Sequence, residues 1–454
     1  MTENSFIIHR KSRASGEVQS DLNITPVFTD TNPFVQQYRQ KAWRRYLSLS
    51  IPDSSQEHWR RTNLRGIDFS TFKLAEPTEN FQEQFPRIFD APVAGKENGG
   101  TILLSPFDAK KNVAPQVQKK GIIFETLDSL KVTQPQIIEK VLSRIDHDKT
   151  AKFSALAGAL GLQGILLYVP KNVRLELPLQ SIFWAAGEGL LHSLQLFVYL
   201  EEGSSVTYVH ESSSPNAGSS LSLHAALIDV YVGPDAHLNL VELQSWGENI
   251  VNFTSENVQV DRGGSVDWVF GALGSRLTKN VSNLSMIGAG ATGKMSGFYF
   301  TDHVQHLDHD TQQNHLAPNT TSDLLFKGAL TDNSRSVWQG MIYVSPEANK
   351  ADGYQANRNL VLSKNARADS IPGLEILTDD VRCTHGATVG KIDEDQVFYL
   401  TSRGMPRDDA ERLIVEGFFE PIMQRIPFEG VRKRFQNAIK EKMERYAAVA
   451  TAKD

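Results

Sequence analysis

The chain has 454 residues, 40% of them hydrophobic and 22% charged, which is the composition of an ordinary globular protein with a well-buried core. Its formal net charge of -6 argues against a surface that binds nucleic acid. The single cysteine excludes an internal disulfide and a metal site made of cysteines alone, and it favours a reducing cytoplasm.

The first part of the chain predicts a flexible arm followed by a helical region. Residues 1–30 are polar and show neither a periodic pattern nor a targeting signal. No later apolar run approaches the ~20 residues of a membrane span, so we expect a cytoplasmic protein without a membrane segment. Asn32 and Pro33 suit the cap and the first residue of a helix, and the apolar spacing of residues 133–145 predicts another. Both helices belong to a mixed, mainly helical region over residues 31–160.

From Gly164 onward, short strands alternate with tight turns. The turns lie near Lys171, Gly203, Pro234 and Gly263. Their spacing of roughly thirty residues is typical of a stacked repeat architecture. The strand segments are rich in β-branched and aromatic residues, and no helical pattern separates them. We therefore predict a mainly β fold, with a right-handed parallel β-helix over residues 161–403 flanked by α-helical N- and C-terminal regions. An open β-sandwich is the alternative.

The glycine-rich segment from Gly288 to Met295 has the spacing of a dinucleotide fingerprint and of a phosphate loop. A phosphate loop needs Ser or Thr after its lysine to hold magnesium, whereas Met295 follows Lys294 here. Both motifs also need a following helix whose N-terminal amides meet the phosphate, and residues 295–301 have the pattern of a strand. We interpret the segment as a turn of the solenoid.

The stretch from Asp302 to His315 concentrates imidazoles and carboxylates, the ligands of zinc and non-haem iron. It contains His303, His306, His309 and His315 together with Asp302, Asp308 and Asp310. Residues three apart on a strand lie on opposite faces, so the first three histidines do not converge without a turn. One hypothesis is a self-contained His/Asp metalloenzyme on a β-solenoid. The other is a polar strand whose histidines are hydrogen-bonded to the backbone.

The only cysteine lies in the last of the predicted strands. Cys383 and His385 are two residues apart, so on a strand their side chains would face the same side. A thiol and an imidazole on one face can ligate a metal ion or act as a nucleophile and its base. The alternative is a small buried side chain next to a hydrogen-bonded histidine.

After Gly404 the apolar residues return to helical spacing, which predicts a helical region over residues 404–454. Its first helix has an apolar stripe that includes Leu413, Ile414 and Phe418. Helices in this position cap a solenoid or dock another protein, and the spacing alone does not distinguish the two.

Several long motifs resemble the SufB/SufD family of scaffold subunits from the SUF iron–sulfur cluster assembly system. They are NPFVQQYRQKAWRRYLSLSIP, EHWRRTNL, GILLYVPKNV, LDHDTQQNHLAPNTTSDLLFKGAL, YQANRNLVLS, CTHGATVGKIDEDQVFYLTSRGM and DDAERLIVEGFF. The resemblance extends from Asn32 to the end of the chain. It implies a non-enzymatic scaffold with a parallel β-helix that pairs with a SufB-like subunit, and a C-terminal region that holds a SufC-like ABC ATPase. No cofactor would be bound permanently, and a transient iron–sulfur cluster would be shared with the partner.

The resemblance also distinguishes between the two branches of the family. The SufB type carries a cluster-building cysteine at a position that falls near Ala366 here, where this chain has none, so the sequence resembles the SufD branch. By resemblance, His385 matches a histidine that faces that cysteine at the subunit interface and is the expected metal ligand. Cys383 matches a neighbouring cysteine of the same interface. The resemblance gives the stretch from Asp302 to His315 a structural role.

The same resemblance selects between the two roles of the C-terminal helices. In this family the C-terminal region docks the ATPase, which implies that the apolar stripe near Leu413, Ile414 and Phe418 contacts it. ATP hydrolysis would belong to that partner, consistent with the absence of a phosphate loop here.

Overall fold

A computed structural model of the protein describes residues 21–74, 98–106, 108–161, 164–216, 218, 220–426 and 429–451. Within these ranges a mainly helical first part precedes a long run of strands, and a helical part follows it. The strand run begins at Gly164, and the final helices begin at Glu394. Residues 1–20, which make up most of the predicted N-terminal arm, lie outside the described residues, as do residues 75–97 and 107 of the predicted N-terminal region and a few positions of the other two predicted regions.

The helices are α1 (Pro33–Ser48), α2 (Pro115–Lys119), α3 (Leu127–Thr133), α4 (Pro135–Leu142), α5 (Lys152–Leu160), α6 (Glu394–Ser402), α7 (Arg407–Met423) and α8 (Glu429–Thr451). The strands are β1 (Lys73–Leu74), β2 (Gly100–Leu104), β3 (Ala109–Val113), β4 (Ile123–Thr126), β5 (Gly164–Val169), β6 (Leu179–Trp184), β7 (Leu190–Leu200), β8 (Ser205–Ser213), β9 (Ser222–Val232), β10 (His237–Ser245), β11 (Ile250–Val260), β12 (Ser265–Ala272), β13 (Leu277–Met286), β14 (Thr292–Thr301), β15 (His306–His315), β16 (Thr321–Leu330), β17 (Arg335–Val344), β18 (Asp352–Val361), β19 (Arg367–Ile376) and β20 (Arg382–Lys391).

The strands from β5 onward wind into a parallel β-solenoid. Odd-numbered strands pair in parallel with one another and form one sheet, while even-numbered strands form the other. Leu277 of β13, for example, lies opposite Val251 of β11 and opposite His306 of β15, so paired residues are about thirty positions apart. A continuous apolar core that includes Trp268 and Phe326 fills the space between the sheets. This architecture confirms the predicted parallel β-helix and excludes the open sandwich.

One corner of the solenoid is formed by a ladder of residues with left-handed backbone. They are Asn172, Gly203, Asp235, Gly263, Gly290, Asn319 and Lys350, with φ between 54° and 72°. Each donates its backbone N–H to a carbonyl of the following turn, as Gly203 does to Pro234 O at 2.8 Å. Gly, Asn and Asp tolerate this conformation best, which explains the recurrent turn signal in the sequence. Gly290 lies in the glycine-rich segment and β14 follows it, so that segment is a solenoid turn, as predicted.

The N-terminal helices pack on the outer face of the odd-numbered sheet. α1 begins as predicted, since Asn32 Oδ1 accepts hydrogen bonds from the backbone N–H groups of Phe34 (2.9 Å) and Val35 (3.3 Å). The second predicted helix starts two residues later than expected and ends at Leu142. Its start is displaced because a residue before proline disfavours the helical conformation, and Gln134, with φ of -144°, separates α3 from α4.

The C-terminal helices α7 and α8 pack on the outer face of the even-numbered sheet. Phe298 of β14 contacts Phe419 of α7 and Phe435 of α8, with ring centroids 6.2 and 3.8 Å apart. Buried Lys442 of α8 donates a hydrogen bond to Asp302 Oδ1 at 2.7 Å. The two helices therefore lie along the side of the solenoid and leave its last turn exposed. Within the part of the chain that the structure describes, no helix combines the length and apolarity of a membrane span.

Candidate functional site at the open end of the solenoid

The last turn of the solenoid, which we call the open end, consists of β19, β20 and the exposed apolar side chains around them. Within the described residues, β19 pairs only with β17 and β20 only with β18, so each strand has one free edge of backbone N–H and carbonyl groups. The exposed apolar side chains are Tyr354, Leu374, Ile376, Leu377 and Val389. A free strand edge with apolar neighbours is a surface on which another chain can pair.

Cys383 and His385 both lie on β20, the outermost strand of the even-numbered sheet. Cys383 is opposite Gly353 and His385 is opposite Gln355, so the two side chains share one side of the strand, as their spacing predicted. Cys383 is half-buried and His385 is exposed. The structure thus places the two predicted interface residues next to each other at the open end.

The thiol of Cys383 faces the interior of the last turns. It packs beside an apolar cluster that includes Ile342 and Val344. Gly353 leaves space next to it, because a Cβ at that position would lie 3.2 Å from both Cys383 Sγ and His315 Nε2. Burial, followed by the charge of Asp352, raises the pKa of the Cys383 thiol. This thiol is therefore not activated as a nucleophile by its own chain, since activation requires a lowered pKa.

The outward face of the histidine-rich strand β15 binds the N-terminal segment. Asp308 accepts a hydrogen bond from Lys279 Nζ at 3.0 Å, and Asp310 Oδ2 lies 2.5 Å from His58 Nδ1. The hydrogen bond to Asp310 raises the pKa of His58. Lys279 Nζ also donates to the backbone carbonyl of His58 at 2.8 Å. These carboxylates therefore attach residues near His58 to the sheet.

The inward face of β15 carries His309 and His315. The ring of His309 stacks on Tyr299 with centroids 5.3 Å apart, and burial lowers its pKa to about 3. His315 is hydrogen-bonded to two hydroxyl groups, and burial lowers its pKa to about 4. His303 lies in the turn before the strand, and His306 contacts Thr62 on the outward face. His306 and His309, three residues apart, thus point to different faces, as predicted. The expectation that the histidines bond to the backbone is wrong, because the hydrogen-bond partners of His306 and His315 are side-chain hydroxyl groups.

The described residues contain no group of three or more His, Cys, Asp or Glu side chains that could hold a metal ion. The hypothesis of a self-contained metalloenzyme on the stretch from Asp302 to His315 therefore has no geometric support in this part of the chain. What the open end does offer is a pair of donors, an exposed imidazole and a half-buried thiol, which is too few for a metal site of its own.

The apolar stripe predicted on α7 is divided between packing and exposure. Leu413 is exposed, whereas Ile414 and Phe418 are half-buried. Lys327 Nζ lies 4.7 Å from the centroid of the Phe418 ring and donates to the Phe418 carbonyl at 2.6 Å. The face that packs on the sheet is formed by Val415, Phe419 and Ile422. Leu413 is therefore the member of the stripe with the most surface available for a partner.

Two exposed aromatic residues of α6 were missed by the sequence analysis. Phe398 and Tyr399 are exposed by 73% and 56%, and α6 packs against α7. Neither residue belonged to the stripe that the sequence analysis singled out, and two adjacent aromatic side chains in a nine-residue helix were the signal that could have identified an exposed apolar surface.

The fold and the site together define a class of protein: a parallel β-solenoid with helices along both sides, an open last turn and an incomplete set of metal donors. Comparison with known proteins gives the family. The family model "SUF system FeS cluster assembly, SufBD core domain" matches residues 183–418, and "SufBD protein N-terminal region" matches residues 23–181.

Relatives from several staphylococci agree with these matches. The chain is 30% identical over 405 residues to an iron–sulfur cluster assembly SufBD family protein of Staphylococcus saprophyticus, covering 86% of each chain. It is 32% identical over 318 residues to SufBD family proteins of Staphylococcus epidermidis and Staphylococcus haemolyticus, covering 70% of this chain and 68% of each relative. The chain therefore belongs to the SufBD family of iron–sulfur cluster assembly proteins. These relatives carry the name of the whole family, so the SufD branch stays a prediction.

Proposed function

We propose that this protein is a non-enzymatic, SufD-like scaffold subunit that pairs through its open end with a SufB-like subunit in the cytoplasm. The observation that carries the proposal is the incomplete donor set on a free strand edge. His385 is exposed on β20 beside Cys383, and the described residues hold no complete group of metal ligands. Half of a site at an unpaired edge is what a site shared between two chains requires.

Iron and sulfide are the cargo of such a shared site. A neutral imidazole from His385 would supply one nitrogen ligand, and thiolates from the partner subunit would supply sulfur, because mixed cysteine and histidine ligation suits cluster irons. The chain has one cysteine in all, so further thiolates must come from elsewhere. This division of ligands supports the assignment to the SufD branch, and it makes the cluster transient rather than a resident cofactor.

A SufC-like ABC ATPase is the second partner that we propose. Leu413 on α7 is exposed, and Ile414 and Phe418 are half-buried beside it. Phe398 and Tyr399 on α6 extend the apolar surface. Both helices follow directly after β20 in the chain, so a partner that moves them acts next to the open end. In this mechanism ATP hydrolysis in the partner moves the C-terminal regions and brings His385 together with the partner's thiolate.

The proposal is tested by affinity purification of the tagged full chain from its own cells, with identification of co-purifying chains and measurement of iron and sulfide. We expect an ABC ATPase and a cysteine-richer homologue in fixed ratio. His385→Ala should keep that ratio but lower the iron and sulfide content. His237→Ala is the matched control, since His237 is an exposed histidine at the start of β10. A chain that purifies alone with bound metal, or normal iron and sulfide in His385→Ala, would contradict the proposal.

A further inference from the structure

A cleft of about 290 Å³ lies far from the donors of the open end, between the N-terminal region and the outer face of the odd-numbered sheet. We call it the N-terminal cleft. Its floor is formed by β11 and β13, and its walls by the end of α1, the segment that follows α1 and the start of α5. Its volume is at the lower end of the range of small-molecule sites, which suits a ligand of one or two rings.

One side of the cleft is an aromatic surface. Phe153 and Phe253 stack with ring centroids 3.9 Å apart and an interplanar angle of 15°. Trp59 lies against both, with centroid distances of 6.0 Å to Phe153 and 5.7 Å to Phe253. Phe153 and Phe253 are buried, with 5% and 3% exposure, whereas Trp59 is half-buried. The two phenylalanines therefore hold the Trp59 indole in place, and Trp59 is the ring that a flat ligand can contact at low entropic cost.

The other side of the cleft is cationic. Four basic residues and no acidic residue line it. Three of the four, Lys149, Lys152 and Lys279, already pair with acidic residues, namely Asp146, Asp21 and Asp308. Arg45 is half-buried, and its Nε donates a hydrogen bond to the Thr150 carbonyl at 3.1 Å, which holds the guanidinium in place. Among the described residues, its two terminal nitrogens have no hydrogen-bond partner.

We propose that the N-terminal cleft binds a small organic anion with a flat apolar ring. The ring packs against Trp59, which Phe153 and Phe253 hold from behind, and the anionic group accepts hydrogen bonds from Arg45. A guanidinium that is fixed through one nitrogen and open at the others is suited to a carboxylate, sulfonate or phosphate group. The nine-residue helix α5 adds the positive end of its dipole on the same side, since Ala151 gives it no side-chain cap. This site is independent of the proposed function.

The test uses two fluorescent probes that differ in charge, with the full chain. 8-Anilinonaphthalene-1-sulfonate carries the anionic group, and N-phenyl-1-naphthylamine is its neutral counterpart. We expect the sulfonate to saturate at one molecule per chain and Arg45→Gln to weaken it by about tenfold, the effect of losing a charge-assisted hydrogen bond. Arg44→Gln is the matched control, because the neighbouring Arg44 is exposed and, among the described residues, donates a hydrogen bond only to Gln40 of its own helix. Equal sulfonate binding in the two variants would overturn the proposal.

A second variant fills the cleft without changing charge. Ser255 is half-buried on β11 and lines the floor, so Ser255→Leu should displace both probes by at least about tenfold while leaving the unfolding midpoint unchanged. Val389→Ser controls for probe bound at the exposed open end and should leave the saturable binding in place. If Ser255→Leu retains both probes, or Val389→Ser removes them, the assignment to this cleft is wrong.

Discussion

Among single residues, the buried ion pair between Lys279 and Asp308 has the largest expected effect on stability. Both side chains are almost completely buried, and Asp308 also accepts from the hydroxyl of Thr62. Lys279→Met would leave a buried carboxylate without its cation, which costs about 3–5 kcal/mol. We expect the free energy of unfolding in urea to fall by that amount.

Lys171→Met is the matched control, because Lys171 and Glu202 form an ion pair on the exposed surface of the same solenoid. Exposed pairs contribute less than about 1 kcal/mol. If the two variants lose similar stability, the N-terminal segment is not attached to the sheet by its buried charges.

The histidine-rich stretch shows how far residue-level prediction reaches. The alternation of side chains along a strand correctly predicted that His306 and His309 lie on opposite faces of the sheet. It could not show that Asp310 meets His58, because that contact joins segments about 250 residues apart in the chain. Nor could it show that Asp308 meets Lys279, because that contact depends on how neighbouring turns of the solenoid stack. Spacing likewise placed Cys383 beside His385, whereas the position of His315 behind Gly353 depends on the stacking of turns.

At the scale of elements, the ladder of left-handed residues at the solenoid corner strongly favours glycine at one position. Gly203 has φ of 66°, and a Cβ there would overlap Oδ1 of Asn172 from the preceding turn. We expect Gly203→Ala to lower the free energy of unfolding by about 1–2 kcal/mol, the cost of a left-handed conformation for an L-residue, plus any cost of displacing Asn172. Gly417→Ala in α7 is the comparison, since nothing lies within 4 Å of its added Cβ. It should be neutral or stabilise by about 0.5–1 kcal/mol, and an equal loss in both would refute the ladder argument.

Two buried acidic residues, Glu242 on β10 and Glu256 on β11, make the stability of the fold depend on pH. Burial raises the pKa of Glu256 to about 7, and burial together with the neighbouring Glu256 raises the pKa of Glu242. Between the ordinary glutamate pKa and about 7, the folded state therefore binds more protons than the unfolded state. Stability from this pair is present at low pH and falls as pH rises through that window.

Glu256→Gln removes the part of this dependence that comes from Glu256. We expect the difference in unfolding free energy between the variant and the wild type to shift in favour of the variant as pH rises from 5 to 8, measured by urea denaturation at each pH. Buried histidines such as His224, whose pKa is lowered to about 4 by burial, titrate in both proteins and cancel in the difference. Glu176→Gln at an exposed position controls for the loss of a carboxyl group. A difference that stays constant with pH would show that Glu256 does not titrate in this range.

At the scale of the whole molecule, the repeat period was sufficient to predict the solenoid, because each turn repeats the same local signals. The order of the regions was also visible, since the change from strand to helical spacing is a local pattern. What the sequence could not show is where the appended helices lie. α7 and α8 pack on the side of the even-numbered sheet through contacts such as Phe298 with Phe435, and these contacts are long-range. This packing leaves the last turn exposed and makes it the candidate site.

The exposed edge of β20 gives the last prediction. Val389 is 50% exposed there, and pairing with a SufB-like subunit through the open end would bury it. Val389→Lys places a charge on that edge, which natural proteins use to prevent strand pairing, and burying the unpaired ammonium costs several kcal/mol. We expect the association constant of the purified pair, measured by biolayer interferometry, to fall by about tenfold or more, with the unfolding of the free chain unchanged.

The matched control for that edge is Val304→Lys. Val304 is also a valine with 50% exposure, but it lies in the turn between β14 and β15, away from the free edge. The two substitutions add the same charge at positions of equal exposure. A difference between their association constants would therefore be caused by the position of the charge. Pairing through the open end predicts that Val389→Lys weakens association and Val304→Lys does not. Equal association constants for the two variants would place the partner on another surface of the solenoid.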